Sequence, residues 1–292
     1  MNGLPNWKPP PYLMNNYVFI ADFFVDQILG GGELSNEELI QKLGETDHVT
    51  KINSHLATVD VLREHREARF IVSNFVNLSE DSKKFLQSDC QYTIYEHDHK
   101  YLRNRNPAAY RGYVAPRGVL INVEFYKNAK AVFCQSNFHS TIVNKNLNIE
   151  NIVNLSGNLW SLKSLDKMLE FASKDKKDAT SIMFSATPHK NTDGAKLYCQ
   201  EKKIKYYLIP PSPHEEFLDK LSDNKTFVFF PKTPETLSRV IVEARMMGMS
   251  VVTNGNVGAA QEEWFSLKGE PLVEHMRNKR MEIVEKVKQA YN

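Results

Sequence analysis

Cysteine, long apolar runs and net charge are all in short supply here. Cys90, Cys134 and Cys199 are far apart, with no Cys-x-x-Cys pair and no histidine at metal-ligand spacing. That excludes a disulfide framework or a zinc ribbon and reads as free thiols in a reducing compartment. No apolar run approaches the roughly 20 residues that cross a bilayer. Residues 1–17 are polar and proline-rich, with Pro9-Pro10-Pro11 where a signal peptide would carry basic and apolar regions. A soluble, cytoplasmic protein is the expectation. With a net charge of +2 there is no overall basic field to steer the chain toward nucleic acid, so any such site must be local.

What is present is ordinary globular composition, 41% hydrophobic and 25% charged, over 292 residues. At about 150 residues per domain that length suggests two domains, each large enough for its own core. Short runs rich in β-branched and aromatic residues, at 17–21, 70–73, 92–95, 119–122, 131–134 and 152–155, alternate with helical spacing around 33–43, 56–69, 79–87 and 138–146. Ser35 and Glu38 form a candidate capping box for the first helix. A second alternation follows a polar connection: strands at 180–184, 205–209, 227–230 and 250–253, helices at 194–202, 214–221 and 238–247. Such alternation implies mostly parallel sheets. The expected architecture is α/β, two Rossmann-like domains facing across a cleft, with a C-terminal helix. The boundaries fall at 1–155, 156–271 and 272–292, and the helix has an apolar stripe interrupted at Arg280.

The most informative stretch is 231–243, Pro-Lys-Thr-Pro-Glu-Thr-Leu-Ser-Arg-Val-Ile-Val-Glu. It reads as a loop at the C-terminal edge of a parallel strand, leading into a helix whose free amides face whatever binds there. Glu235 at the helix entrance and Glu243, about 80° past two further turns, can both face one pocket. Carboxylates hold phosphate poorly but accept hydrogen bonds from sugar hydroxyls. A ligand with both a phosphate and several hydroxyls is implied.

These residues resemble a known pattern. Pro231, Glu235, Glu243-Ala244, Gly248, Val251-Val252, Gly255 with Gly258, and Glu262 or Glu263 are similar to the C-terminal half of GT-B nucleotide-sugar glycosyltransferases, family 4-like. The resemblance implies that Glu235 binds donor-sugar hydroxyls, that the backbone of Leu237 and Ser238 holds the diphosphate, and that Glu243 binds the ribose. Ser238 stands where the family usually has glycine. Gly30-Gly31-Gly32-Glu33 is similar to the family's Gly-Gly-x-Glu loop, which places Gly31 and Gly32 against the donor; a plain flexible turn is the alternative. His97 corresponds to a strand-end histidine near the sugar, Ser136 to the serine ending the last N-terminal strand, and residues 154–158 to an Asn-Gly turn before the linker. Lys190 matches the lysine of a phosphate clamp, but Ser185 occupies the position of its arginine, leaving Arg239 as a substitute.

No Asp-x-Asp stands at a strand end to hold a metal, and His97, Asp98 and His99 alternate along an extended segment, so no metal site is expected. Residues 100–117 interleave Arg103, Arg105, Arg111 and Arg117 with Tyr101, Tyr110 and Tyr113. Arg103, Arg105, Tyr110 and Arg111 are candidate acceptor contacts at the N-domain side of the cleft; a solvated charged loop is the alternative. The resemblance implies a retaining, metal-independent transferase with a UDP- or GDP-linked sugar as substrate and no other cofactor, with His97 and Glu235 at the reacting centre. The acceptor is a glycan or lipid-linked saccharide, or a hydroxymethylated base in DNA, since a compact chain of this kind is similar to phage-encoded base glycosyltransferases. A non-catalytic nucleotide-sugar or nucleic-acid binding module is the third reading.

Overall fold

The computed structural model describes residues 14–292; the proline-rich lead lies outside them. The N-terminal domain runs β1 (Asn16–Ala21), α1 (Gly31–Gly44), β2 (His48–Asn53), α2 (Val59–Glu64), β3 (Arg69–Val72), α3 (Glu80–Asp89), β4 (Gln91–Tyr95), α4 (Val123–Lys127), β5 (Val132–Cys134), α5 (Asn137–Leu147) and β6 (Ile152–Asn154). Its strands form one sheet in the order β2-β1-β3-β4-β5-β6, parallel at every junction. Both faces are covered, which is why β1 is apolar from Tyr17 onward: Val18 and Ile20 enter one core cluster, Tyr17 and Phe19 the other.

The C-terminal domain continues with α6 (Leu162–Ala172), β7 (Lys177–Met183), α7 (Thr192–Glu201), β8 (Tyr206–Ile209), α8 (His214–Leu221), β9 (Asn224–Phe229), α9 (Arg239–Met246), β10 (Ser250–Thr253) and α10 (Glu270–Gln289). Its four parallel strands are ordered β10-β9-β7-β8. α10 joins the domains. Leu272, Val273 and Met276 pack in the C-domain core, while Ile283, Val284 and Val287 pack in the N-domain core with Tyr17 and Phe19. Arg280, at the change of core, is buried because Nη1 donates to Glu38 on α1 at 2.7 Å and to the Trp160 carbonyl.

Three local expectations fail for identifiable reasons. α1 begins at Gly31 with Gly30 as N-cap, so Ser35 and Glu38 are not a capping box. The Ser35 hydroxyl instead meets Tyr95 Oη at 3.0 Å, and Glu38 is taken by Arg280. The apolar run at 119–122 is not a sheet strand; it clasps the preceding loop through an antiparallel bridge from Leu120 to Leu102. β2 escaped detection because it is a half-exposed edge strand, His-Val-Thr-Lys-Ile-Asn, with only Val49 and Ile52 apolar.

Candidate functional site

A cleft of about 660 Å³ lies between the domains, at the C-terminal edges of both sheets. It gathers Gly31, Gly32, His97, Lys190, Glu235, Ser238, Arg239 and Glu243. Leu237 lies behind the wall with its side chain in the C-domain core.

The C-domain wall is built by α9 and the loop before it. The first amides of a helix have no carbonyl one turn back to bond, so they carry partial positive charge. Ser238 caps this start in the left-handed region, φ 72° and ψ 86°, a conformation that suits glycine. The departure from the glycine of the resembling family therefore carries backbone strain. Ser238 lines the cleft, is only 7% exposed, and its hydroxyl has no hydrogen-bond partner. A buried hydroxyl left unpaired is costly, so a group that satisfies it gains.

Glu243, one helical turn further, is 2% exposed. It accepts from Trp160 Nε1 at 2.9 Å and from His214 Nε2 at 3.2 Å, and Arg239 Nε stands 3.7 Å away. All three act on Oε1, leaving Oε2 for the cleft. Burial pushes this carboxyl up, but His214 and Arg239 outweigh it and hold it at about 2. Reciprocally, Glu243 raises His214 above its ordinary value against the effect of burial. Glu235 pairs with Lys190 at 2.8 Å, so the first carboxylate and the lysine expected in a phosphate clamp are bonded to each other. Arg239 is less free than a clamp requires: Nη1 donates to the Leu159 carbonyl at 2.6 Å and the guanidinium lies 4.4 Å from the Trp160 ring centre.

The N-domain wall begins with the glycines, which open α1 and aim a second helix start at the cleft. A Cβ on Gly31 would sit 3.0 Å from Arg239 Cδ, and one on Gly32 would touch the His97 ring. His97 lies beyond β4 rather than on it. Its Nε2 contacts Asn36 Oδ1 at 2.7 Å and its Nδ1 meets Gln135 Nε2. Gln135 turns its Oε1 toward Asn158 Nδ2 and Thr236 Oγ1, so its amide donates to Nδ1 and leaves the ring proton on Nε2. Burial, with Lys100 nearby, lowers His97 to about 3, so the ring is neutral.

Below His97 lies a buried charge cluster. Lys100 bonds Glu96 and, at 2.8 Å, Asp98. His99 points elsewhere, to Tyr101 Oη at 2.9 Å. Among the described residues no group of three or more His, Cys, Asp or Glu is placed to hold a metal ion.

The 100–117 segment does not line the central cleft. Arg103 and Arg105 border a separate groove with Lys83 and Lys100, and Tyr110 and Arg111 border neither. The clasp to Leu120 turns the segment away. It reaches across the domains through Tyr113 Oη, which donates to Asn256 Oδ1 at 2.7 Å. Other seams are tighter: Ser136 Oγ donates to the Thr236 carbonyl at 2.6 Å, and Glu262 accepts from the Asn137 amide at 2.6 Å and from the Ser156 hydroxyl. Gly258 is required there, because a Cβ would overlap the Thr236 carbonyl and the Ser136 hydroxyl.

Trp160, His214 and Gln135 escaped the sequence reading as site residues, while Asn158 ends the 154–158 turn named there. His214 carried a signal, opening a helix just after the predicted strand at 205–209, on the sheet edge where ligands bind.

This arrangement, two Rossmann-like domains across a cleft closed by a C-terminal helix, is the GT-B fold. No protein-family model matches the chain, and no curated protein matches its sequence. Solved structures do match its shape. HepE from Anabaena, solved in complex with UDP and glucose, aligns over 94% of this chain and 92% of its own at TM-score 0.53 and 14% identity. A glycosyltransferase from Rickettsia africae aligns over 96% and 93% at TM-score 0.54 and 12% identity. Sucrose-phosphate synthase from Thermosynechococcus elongatus aligns over 94% and 91% at TM-score 0.56 and 11% identity. At such identities the likeness establishes the fold.

Proposed function

We propose that this chain is a retaining glycosyltransferase that moves a sugar from a nucleoside diphosphate donor to an acceptor hydroxyl without a metal ion. One juxtaposition carries the reading: an unpartnered buried hydroxyl at a helix start, Ser238, beside two carboxylates, Glu235 and Glu243, in one cleft. A diphosphate matches the helix start, the Ser238 hydroxyl and Lys190, while sugar and ribose hydroxyls match the carboxylates. The fold is shared with HepE, which binds UDP and glucose, so a uridine donor is the first choice over a guanosine one.

The residue roles follow. Glu243 Oε2 accepts from the ribose, and Glu235 orients the donor sugar once Lys190 turns from it to the diphosphate. Stabilisation of the departing diphosphate by fixed dipoles and charge is the main catalytic effect. His97, neutral and with both ring nitrogens bonded to Asn36 and Gln135, shapes the sugar side of the cleft by packing and is no base. Contacts such as Ser136 to Thr236 hold the two walls in register.

For the acceptor, a glycan or lipid-linked saccharide is favoured over a hydroxymethylated base in DNA. Of the tyrosines that would stack on bases, Tyr101 is buried, Tyr110 packs against the N-domain core, and Tyr113 is bonded to Asn256. A non-catalytic nucleotide-sugar module is the remaining reading, motivated by Ser185 in place of the clamp arginine. The test is a panel of nucleotide sugars, scored by donor hydrolysis or transfer and by thermal shift, with product anomers read by NMR. Retained configuration is expected. Donor binding without turnover on any acceptor favours the module, and neither binding nor turnover removes the proposal.

A further inference from the structure

At the C-terminal edge of the N-domain sheet, three neighbouring loops carry large apolar side chains into solvent. Phe23, Ile28 and Leu29 follow β1, Leu56 follows β2, and Val76 follows β3; their exposures run from 42% to 68%. β1 lies between β2 and β3 in the sheet, so these loops are adjacent. One buried carboxylate ties them together. Asp22 accepts from the Val76 amide at 2.9 Å, from the Asn77 amide at 3.0 Å and from the Ser54 hydroxyl. A clustered, rigidly held apolar rim is not what a solvated surface needs.

The rim connects two concavities. Leu29 lines the central cleft, and Val76 lines the second groove, of about 660 Å³. Lys83, Lys100, Arg103 and Arg105 border it with Glu80; Lys100 is buried and neutralised by Glu96 and Asp98, so the basic charge open to solvent is that of Arg103 and Arg105. Glu80 pairs with Lys83 at 2.7 Å, and Asp98 reaches Arg105 at 3.3 Å; Arg103 is exposed.

We propose that this face docks the protein on an anionic phospholipid surface, with Phe23, Leu56 and Val76 entering the acyl boundary and Arg103 and Arg105 meeting headgroup phosphates. Apolar insertion beside basic side chains is the chemistry of peripheral membrane binding. Among the described residues no helix is long and apolar enough to cross a membrane, so the contact is a surface one. Nucleic acid would use the same arginines and could stack on Phe23, but gains nothing from the aliphatic Ile28, Leu29, Leu56 and Val76. Docking here sets the cleft mouth, through Leu29, beside the bilayer. The inference does not depend on the donor assignment, because its readout is binding alone.

Co-sedimentation of the full chain with vesicles of phosphatidylglycerol and phosphatidylcholine, against phosphatidylcholine alone, is the test. Preference for the anionic vesicles by roughly ten-fold is expected, weakening at high salt. Phe23→Ser with Leu56→Ser should lower partitioning by roughly ten-fold, and Arg103→Glu with Arg105→Glu by roughly twenty-fold or more. Val76→Ser replaces the apolar pair if that pair lacks a native melting transition. Leu208→Ser, an exposed apolar site on the C-domain strand β8, should change nothing. Absence of vesicle binding, binding that survives both rim variants, or an equal loss with Leu208→Ser overturns the proposal. So does binding of duplex DNA through Arg103 and Arg105 by a protein that ignores vesicles.

Discussion

The C-domain lip at 231–243 and the N-domain segment at 97–117 each follow a parallel strand and leave the C-terminal edge of a sheet, but they spend their polar groups differently. In the first, the Ser238 hydroxyl is unpartnered, Glu243 keeps one oxygen free, and α9 offers unbonded amides. In the second, both His97 nitrogens are satisfied, Lys100 is held by Glu96 and Asp98, and Tyr113 is bonded across the domains. The lip is organised for something outside the protein, the segment largely for the protein itself. A buried unpaired group marks a ligand site where it faces a cleft: Ser238 lines one, whereas His99 Nε2, equally unpaired, belongs to a ring packed edge-on against His139.

Substitutions in the two regions should separate by size of effect. Glu243→Ala should be the most damaging, since it strands Arg239 and His214 beside the buried Trp160: about 3–5 kcal/mol of stability and donor binding below detection, read by chemical denaturation and calorimetry. Glu235→Ala should instead lower kcat by roughly a hundred-fold, yet cost at most about 1 kcal/mol, because its pair with Lys190 is partly exposed. Equal stability losses from the two would erase the distinction between a buried anchor and a sugar contact.

Intermediate effects come from titration and strain. His214 is raised mainly by Glu243, so its contribution is fully present below about pH 6.5 and is lost as pH rises through its higher folded value. Glu243, held at about 2, contributes above about pH 4.5 and loses that contribution as pH falls toward 2. His97, lowered to about 3, acts in the same acid direction, because the unfolded chain takes up its proton first. The difference in denaturation midpoint between the native chain and His214→Gln should shrink from about pH 6 to 9 as the His214 contribution is lost, while the neutral buried His97, His99 and His139 act in the opposite direction in both proteins. Ser238→Gly should relieve the left-handed backbone and stabilise the free protein by about 1 kcal/mol, while donor affinity falls with the lost hydroxyl. Smallest of all, Arg111→Ala should leave stability within about 0.5 kcal/mol and donor affinity unchanged.

The same contrast explains what was legible in the sequence. Strand, loop and helix at 226–247 are contiguous, so period and turn chemistry placed Glu235 and Glu243 without tertiary information, and the family resemblance added Ser238. Parallel strands buried on both faces were readable as apolar runs, and the half-exposed β2 was not. Ser35 and Glu38 misled because tertiary partners, Tyr95 and Arg280, claim side chains that locally spell a cap. The 97–117 segment misled because its direction is set by the Leu102–Leu120 clasp, which no local pattern records. Trp160 and Gln135 serve the site through partners 83 and 38 residues away, Glu243 and His97, beyond the reach of any motif.

The central claim is that Glu243 and the α9 start hold the nucleotide half of a donor. Calorimetric titration of UDP-sugars into the native chain and into Glu243→Gln, which keeps the side-chain shape, tests it most directly. The expected result is donor binding by the native chain and a loss of at least roughly thirty-fold in the variant, with a native melting transition retained. Equal affinity in a folded Glu243→Gln protein would contradict it.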